Sequence, residues 1–382
     1  MASMHIRDAD MGGGEEEVLI PGLPDDVGLD CLARVPVRWH ARLRHVCGRW
    51  RDLVTDPVFQ CHRERIGAVE DLIYLVQAMV PLPHDEAAGG GGEHKAEDRI
   101  RPPEYGIHVY NATSGEWWRA AAPAPAFAQV AAAGREVVVV GGWDPATLDP
   151  AAEVRIHDPA TGTWRRGQAM PAPARSFFAC AGDPAPTRRR VYVSGGHDAN
   201  KNALRSAAAY DVAADEWSPM AEMGDERDES QGVVVTGCGF WAVSGYGTEG
   251  QGRFENGAEW YDDEAKEWRK EEGIFPAAEG GAAAACFVGV KGRIWSVECG
   301  RGVREYEGRG KGWRVVAATP EGLKSSPRAV AIGEAEKLFV IGATEDGRCK
   351  GWVLEAASGR WTPAETPAEF SGFVYSAAAI RR

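Results

Sequence analysis

The sequence predicts an α+β chain of two unlike parts. A small all-α, three-helix module comes first, followed by a large all-β array of six four-stranded sheets closed by the C-terminal strand. Three observations carry this. Apolar residues in the Arg-rich stretch 18–66 fall at helical spacing, and six tryptophans recur about every 50 residues across 67–382. The array also lacks a strand at its start and has one too many at its end.

Composition sets the outer limits. The 382 residues are 44% hydrophobic, enough for two domains with a sizeable soluble core. The net charge of −13 argues against nucleic-acid or anionic-membrane partners, which need a basic surface. No apolar run is long enough to cross a bilayer as a helix. The Gly-rich, acidic stretch 1–17 has no signal-peptide core and is expected to be disordered. Eight cysteines without any CxxC pair suit reduced thiols and a cytoplasmic or nuclear location.

In the helical part, Asp25 or Asp26 caps a helix running to about Val35, which Pro36 stops. Leu43, Val46, Cys47, Trp50, Leu53 and Val54 then form one apolar stripe, with Arg42, Arg44, Arg49 and Arg51 on the wet side. A break or bend is expected within it. Gly48 is read as interior to this helix, where it costs about 1 kcal/mol relative to Ala. About 45 residues make a marginal core, so a partner that completes the module is expected.

In the β part, Trp117, Trp164, Trp217, Trp268, Trp313 and Trp361 are spaced by 47, 53, 51, 45 and 48 residues. Seven positions before each stands Tyr110, His157, Tyr210, Tyr261, Tyr306 or Leu354, followed by Asn, Asp or Glu. Segments such as NATSGEW and DPATGTW read as hairpin turns opened by Asn or Asp. Two before each Trp stand Gly115, Gly162, Asp215, Lys266, Lys311 and Gly359; glycine there suits a left-handed turn, which Lys266 and Lys311 fit less well. Tyrosine and tryptophan would then pack neighbouring sheets together. Upstream lie apolar strands ending in glycine, such as EVVVVGG and RVYVSGG, and before them another short strand.

This unit resembles the kelch repeat, a blade of a β-propeller, over about 310 residues. The diglycine decays in the last three repeats. The first repeat starts at Asp71 with what looks like a second strand, so 373–380 is expected to supply its inner strand and close the ring. The charged, Gly-rich stretch 81–104 reads as a disordered insertion inside blade 1.

The words LPDDVGLDCLARVP, RLRHVCGRWRDLV and DPVF resemble an F-box over 18–66. The resemblance implies a plant F-box/kelch-repeat protein, a substrate receptor of Skp1–cullin–F-box ubiquitin ligases. It is itself non-catalytic, needs no cofactor, and holds a protein target for degradation. By carry-over, Leu23, Pro24, Leu32, Val35 and Pro36 face Skp1, although intramodule packing also explains Leu32 and Val35. Trp50 and Leu53 either contact Skp1 or support the helices. The LIPGLPDD opening and layout are similar to members that target phenylalanine ammonia-lyase, restraining phenylpropanoid synthesis; related members act on cytokinin response regulators.

Substrate contacts are expected on the rim where loops 143–153, 197–207, 246–258 and 343–350 meet the inter-blade loops 171–176, 224–231, 276–282 and 321–328. Trp143, His197, Tyr246 and Arg253 are candidates from the first set. Arg175, Arg227 and Arg328 stand before inner strands and would circle the channel mouth, suiting an acidic epitope, unless they pair with nearby acids. The alternative, a kelch scaffold or metal-dependent propeller enzyme, finds only Asp149, Glu153 and His157. Glu153 and His157 would lie roughly 13 Å apart along a strand, too far for one ion.

Overall fold

Pro24 precedes and Asp25 and Asp26 begin helix α1 (Asp25–Ala33), where the two carboxylates oppose the positive end of the helix dipole. The computed structural model describes residues 18–80 and 103–382, except 145, 184, 186, 275–284, 309, 334 and 335. The N-terminal stretch, nearly all of the insertion and the 276–282 loop therefore lie outside the described residues. The chain divides into two units, at Val69 and Glu70.

In the first unit α1 ends before Arg34, and Pro36 leads into a 3-10 turn, Val37–Trp39. Three helices follow: α2 (His40–Leu43), α3 (Gly48–Thr55) and α4 (Pro57–Arg65). Among the described residues the unit therefore has four α-helices where three were expected, because the break expected within the apolar stripe separates α2 from α3. Cys47 is extended (φ −156°, ψ 171°), and its Sγ accepts the amide of Trp50 at 3.4 Å. Gly48 is therefore the first residue of α3, not an interior one. Val46, in the break, is 61% exposed. Asp56 caps α4 by accepting the amide of Val58, with Pro57 at the first helical position.

Among the described residues the second unit has 24 strands in six four-stranded antiparallel sheets. Blade 1 holds β1 (Asp71–Ala78), β2 (Tyr105–Asn111) and β3 (Trp117–Ala124). Blade 2 is β4 (Gln129–Ala133), β5 (Glu136–Val140), β6 (Val154–Asp158) and β7 (Thr163–Arg166). Blade 3 is β8 (Ala179–Gly182), β9 (Arg190–Ser194), β10 (Ala207–Asp211) and β11 (Glu216–Pro219). Blade 4 is β12 (Gln231–Val235), β13 (Gly239–Val243), β14 (Ala258–Asp262) and β15 (Glu267–Glu271). Blade 5 is β16 (Ala285–Val290), β17 (Arg293–Glu298), β18 (Gly302–Tyr306) and β19 (Trp313–Ala317). Blade 6 is β20 (Ser325–Ile332), β21 (Lys337–Ala343), β22 (Cys349–Glu355) and β23 (Arg360–Ala364).

The last strand, β24 (Val374–Arg381), pairs with β1 and is the inner strand of blade 1. Its register runs from Asp71 opposite Arg381 to Gln77 opposite Val374, with a bulge at Val76 and Gln77. Inner strands β24, β4, β8, β12, β16 and β20 touch in a closed circle. The fully buried Gln77 locks the seam, donating to Phe370 O at 2.6 Å and Gly372 O at 2.7 Å. Its own Oε1 faces His108 Nδ1 at 2.7 Å. Arg382 reaches Asp158 of blade 2 at 2.9 Å.

The repeating tryptophan is a latch between blades. Indole N–H groups of Trp117, Trp217, Trp268 and Trp361 donate to Glu365, Gln168, Ala221 and Ala318 carbonyls, each just past the outer strand of the preceding blade. Trp313 makes the same bond to Ile274. The residue seven earlier packs on the indole: Tyr110 at 4.7 Å, His157 at 4.6 Å, Tyr210 at 4.9 Å, Tyr261 at 5.5 Å and Tyr306 at 5.3 Å between ring centres. Asn111, Asp158, Asp211 and Asp262 accept turn amides as expected. Gly115, Gly162, Asp215, Lys266 and Gly359 take positive φ. Blade 5 differs: Gly310 and Gly312, on either side of Lys311, supply the left-handed residues at φ +79°.

The diglycine also has a steric reason. A Cβ on Gly195 would sit 2.2 Å from Arg227 O, and one on Gly196 would sit 2.3 Å from Ser176 O. Where the motif decays in blade 4, Ser244 takes the first left-handed position at φ +62°.

Candidate functional site

The helical unit is organised around Arg63, which is 1% exposed. Its guanidinium donates to Ala33 O and Val35 O, satisfying carbonyls left open at the end of α1. His40 Nε2 donates to the same Val35 O at 2.9 Å. Trp50 donates its indole N–H to Leu19 O at 2.7 Å, and Asp25 accepts the Leu19 amide at 2.9 Å. Trp50 therefore supports the module, tying α3 to the segment before α1. Leu53, Val35 and Pro36 are half-buried. Leu32 is buried at 3% and belongs to the core with Val37, Val54 and Phe59, so it is not an exposed contact.

What α1 shows to solvent is a different stripe. Leu23 and Val27 are 36% and 43% exposed, Cys31 is also exposed, and Pro24 lies beside them. Val27 and Cys31, four residues apart, share one face of α1, and Leu23 lies in the segment that leads into its N-terminus. On α4, Val58 and Cys61 are likewise exposed. Sequence reasoning missed Val27 and Val58 because a short amphipathic helix does not reveal which of two apolar stripes faces inward.

In blades 2, 3 and 4 the loop before the inner strand meets the loop after the second strand. Isolated bridges pair Ala126 with Trp143, Ser176 with His197 and Asp228 with Tyr246. Around the channel mouth these side chains interlock. Trp143 Nε1 donates to Ser176 Oγ at 2.8 Å, and Lys201 lies over its ring at 5.2 Å. His197 Nδ1 faces Asp228 Oδ2 at 2.8 Å, with Lys201 Nζ 3.0 Å from Nε2. The Tyr246 hydroxyl donates to Glu229 at 2.9 Å, and burial raises its pKa, so the phenol stays neutral. Arg253 is exposed on its loop.

The three arginines do not form a ring. Arg175 is 2% exposed and donates to Gly195 O, Ser206 O and Ser206 Oγ. Burial lowers its pKa to about 10, which leaves it charged at neutral pH. Arg227, also 2% exposed, donates to Ser244 O at 2.8 Å and to Glu259 at 3.1 Å. Both tie an inter-blade loop to the end of their own blade's second strand. Arg328 is in another register: it lies within β20, beyond a shift between Ser325 and Arg328, and lines the channel.

The pairing register identifies equivalent positions. Gln129, Ala179, Gln231 and Arg328 lie opposite Val140, Ser194, Val243 and Ile341, the residues just before Gly141, Gly195, Ser244 and Gly342. Two residues before each stand Phe127, Phe177, Glu229 and Ser326, with φ of +59°, +55°, +51° and +50°. None is glycine, asparagine or aspartate, so each conformation costs about 1–2 kcal/mol. All four line a cavity of about 320 Å³ at the channel mouth, together with Phe254, Arg328 and Tyr375.

Among the described residues no group of three or more His, Cys, Asp or Glu could hold a metal ion. His157 is 8% exposed and stacked on Trp164, and burial lowers its pKa to about 4. No described helix is long and apolar enough to cross a membrane, and all eight cysteines are free.

The first unit is helical with an exposed apolar stripe, and the second is a six-bladed propeller with a recessed, aromatic channel mouth. The F-box domain family matches residues 20–62, and the kelch motif matches 187–224, which spans most of blade 3. The chain is 36% identical to the F-box/kelch-repeat protein SKIP20 of Arabidopsis thaliana, over 95% of this chain and 96% of that protein. A second Arabidopsis F-box/kelch-repeat protein is 32% identical over 93% of this chain and 97% of its own length. A third is 42% identical over 67% of this chain, which spans 66% of that relative. This chain belongs to the plant F-box/kelch-repeat family.

Proposed function

We propose that this chain is the substrate-recognition subunit of a Skp1–cullin–F-box ubiquitin ligase. Its helical unit engages a Skp1-like adaptor and, through it, a cullin; its propeller holds a target protein for ubiquitination and proteasomal degradation. The observation that carries this is the presence, in one chain, of an F-box unit with an exposed apolar stripe and a closed propeller with a recessed mouth. The chain supplies no catalytic group; holding the target near the transfer enzymes is its contribution. Leu23, Pro24 and Val27 are the proposed adaptor contacts, flanked by Val35, Pro36 and Leu53. Trp143, His197, Tyr246, Arg253 and Arg328 frame the target site.

The target we propose is phenylalanine ammonia-lyase, supported by the resemblance of the LIPGLPDD opening and overall layout. The work is placed in the cytoplasm or nucleus, where free thiols persist. The test is the half-life of phenylalanine ammonia-lyase in plant cells with and without this chain. Loss of the chain should lengthen it while the proteasome is active; an unchanged half-life removes this target.

A further inference from the structure

The channel mouth is not an acidic-peptide site of the kind an arginine ring would make. Arg175 and Arg227 are buried and spent on their own blades. Arg328 gives Nε to Tyr375 O at 2.6 Å and a terminal nitrogen to Pro327 O at 2.9 Å. Asp228 is engaged by His197. Glu229 remains as an exposed carboxylate, steadied by the Tyr246 hydroxyl. Next to it stands an aromatic wall. Phe127 lies 5.3 Å from both Phe177 and Tyr375, and Phe177 lies 5.9 Å from Tyr375.

Phe127 and Phe177 stay partly exposed in a left-handed backbone conformation, at matched positions of neighbouring blades. Phe127 also packs on Tyr105 and Trp143, and Phe177 on Trp143 and His197, so the wall is continuous with the rim aromatics. Strain repeated at one place, and aimed into one cavity, is characteristic of a recognition site. At about 320 Å³ the cavity is at the small end for ligand pockets, a fit for one anchoring side chain rather than a large cofactor.

We propose that this cup anchors a protein segment that presents a large apolar side chain next to a lysine or arginine. The apolar group enters against Phe127, Phe177 and Tyr375. The cation pairs with Glu229 and with the ring faces. The proposal rests on the receptor reading only in taking the occupant to be part of a protein target.

The experiment is display of random peptides against the full chain, free and bound to a Skp1-like adaptor. Enriched peptides should carry Phe, Trp, Leu or Met next to Lys or Arg. Phe177→Ala should weaken binding of an enriched peptide by about tenfold or more, the loss of one anchor contact. Glu229→Lys, a change at an exposed side chain, should exchange the preference from basic to acidic neighbours. A thermal melt accompanies each variant, and Glu229→Lys keeps the test decisive if Phe177→Ala fails to fold. Enrichment of acidic peptides by the native chain, or a basic preference untouched by Glu229→Lys, would overturn the proposal. So would self-association of the free chain that Phe177→Ala abolishes, since the occupant would then be a second copy. Failure of the adaptor to bind would instead overturn the receptor reading and leave the display result standing.

Discussion

Lys266 and Asp215 occupy the same left-handed corner in successive blades, both at φ +57°, yet the same substitution should act on them in opposite directions. Lys266 is exposed, and its ion pair to Asp263 is 3.8 Å long and worth little. Lys266→Gly removes the backbone strain and should raise stability by about 0.5–1 kcal/mol, read by chemical denaturation. Asp215 accepts the Gln168 amide at 2.7 Å and the Tyr210 hydroxyl. Asp215→Gly should therefore lower stability by about 1–2 kcal/mol. A titration makes a further residue-scale prediction. Burial lowers the pKa of both His108 and His157 to about 4, below the ordinary 6.5. As pH falls through that window the unfolded chain takes up protons that the fold excludes, by up to about 1.4 kcal/mol per pH unit for each group. The stability from these groups is thus complete above pH 6.5 and declines toward 4. His157→Phe should shallow that decline, measured as melting temperature against pH.

At the scale of elements, the tryptophan latch makes its own prediction. Trp361→Phe keeps the ring but removes the donor to Ala318 O, and should cost about 1 kcal/mol. Such latches were legible in the sequence, because a fixed seven-residue turn and a blade-length period are set by local geometry. Counting strands was enough to place β24, since a ring leaves no spare edge. The arginines were not legible. Standing before a strand does not reveal whether a long side chain turns toward the channel or back onto its own blade. The left-handed quartet left no signal at all: PAPAFAQ, ARSFFAC, RDESQG and KSSPRA contain no residue at that position that favours positive φ. Gly48 was misplaced for a related reason, since the apolar stripe runs through a break that Cys47 makes by its backbone. Gly48→Ala, with open space around the new methyl, should now stabilise the helical unit by about 0.5–1 kcal/mol.

For the whole molecule, closure and docking are separate devices in separate units. The ring depends on β24, whose pairing with β1 is fixed by Gln77 and extended by Arg382. Truncation after Phe370 exposes the apolar edge of β1 and should abolish cooperative unfolding; an unchanged melt would show that the ring does not need its seam. As a receptor, the chain must be handed to an adaptor by its helical unit. The direct measurement is affinity between the full chain and a Skp1-like protein, compared for the native chain and for Leu23→Glu with Val27→Glu, with the propeller melt as a control. The account predicts tight native binding, a loss of about 100-fold or more for the double variant, as expected when central apolar contacts are replaced by charge, and an unaltered propeller. Undiminished binding by the variant, or none by the native chain, would contradict it.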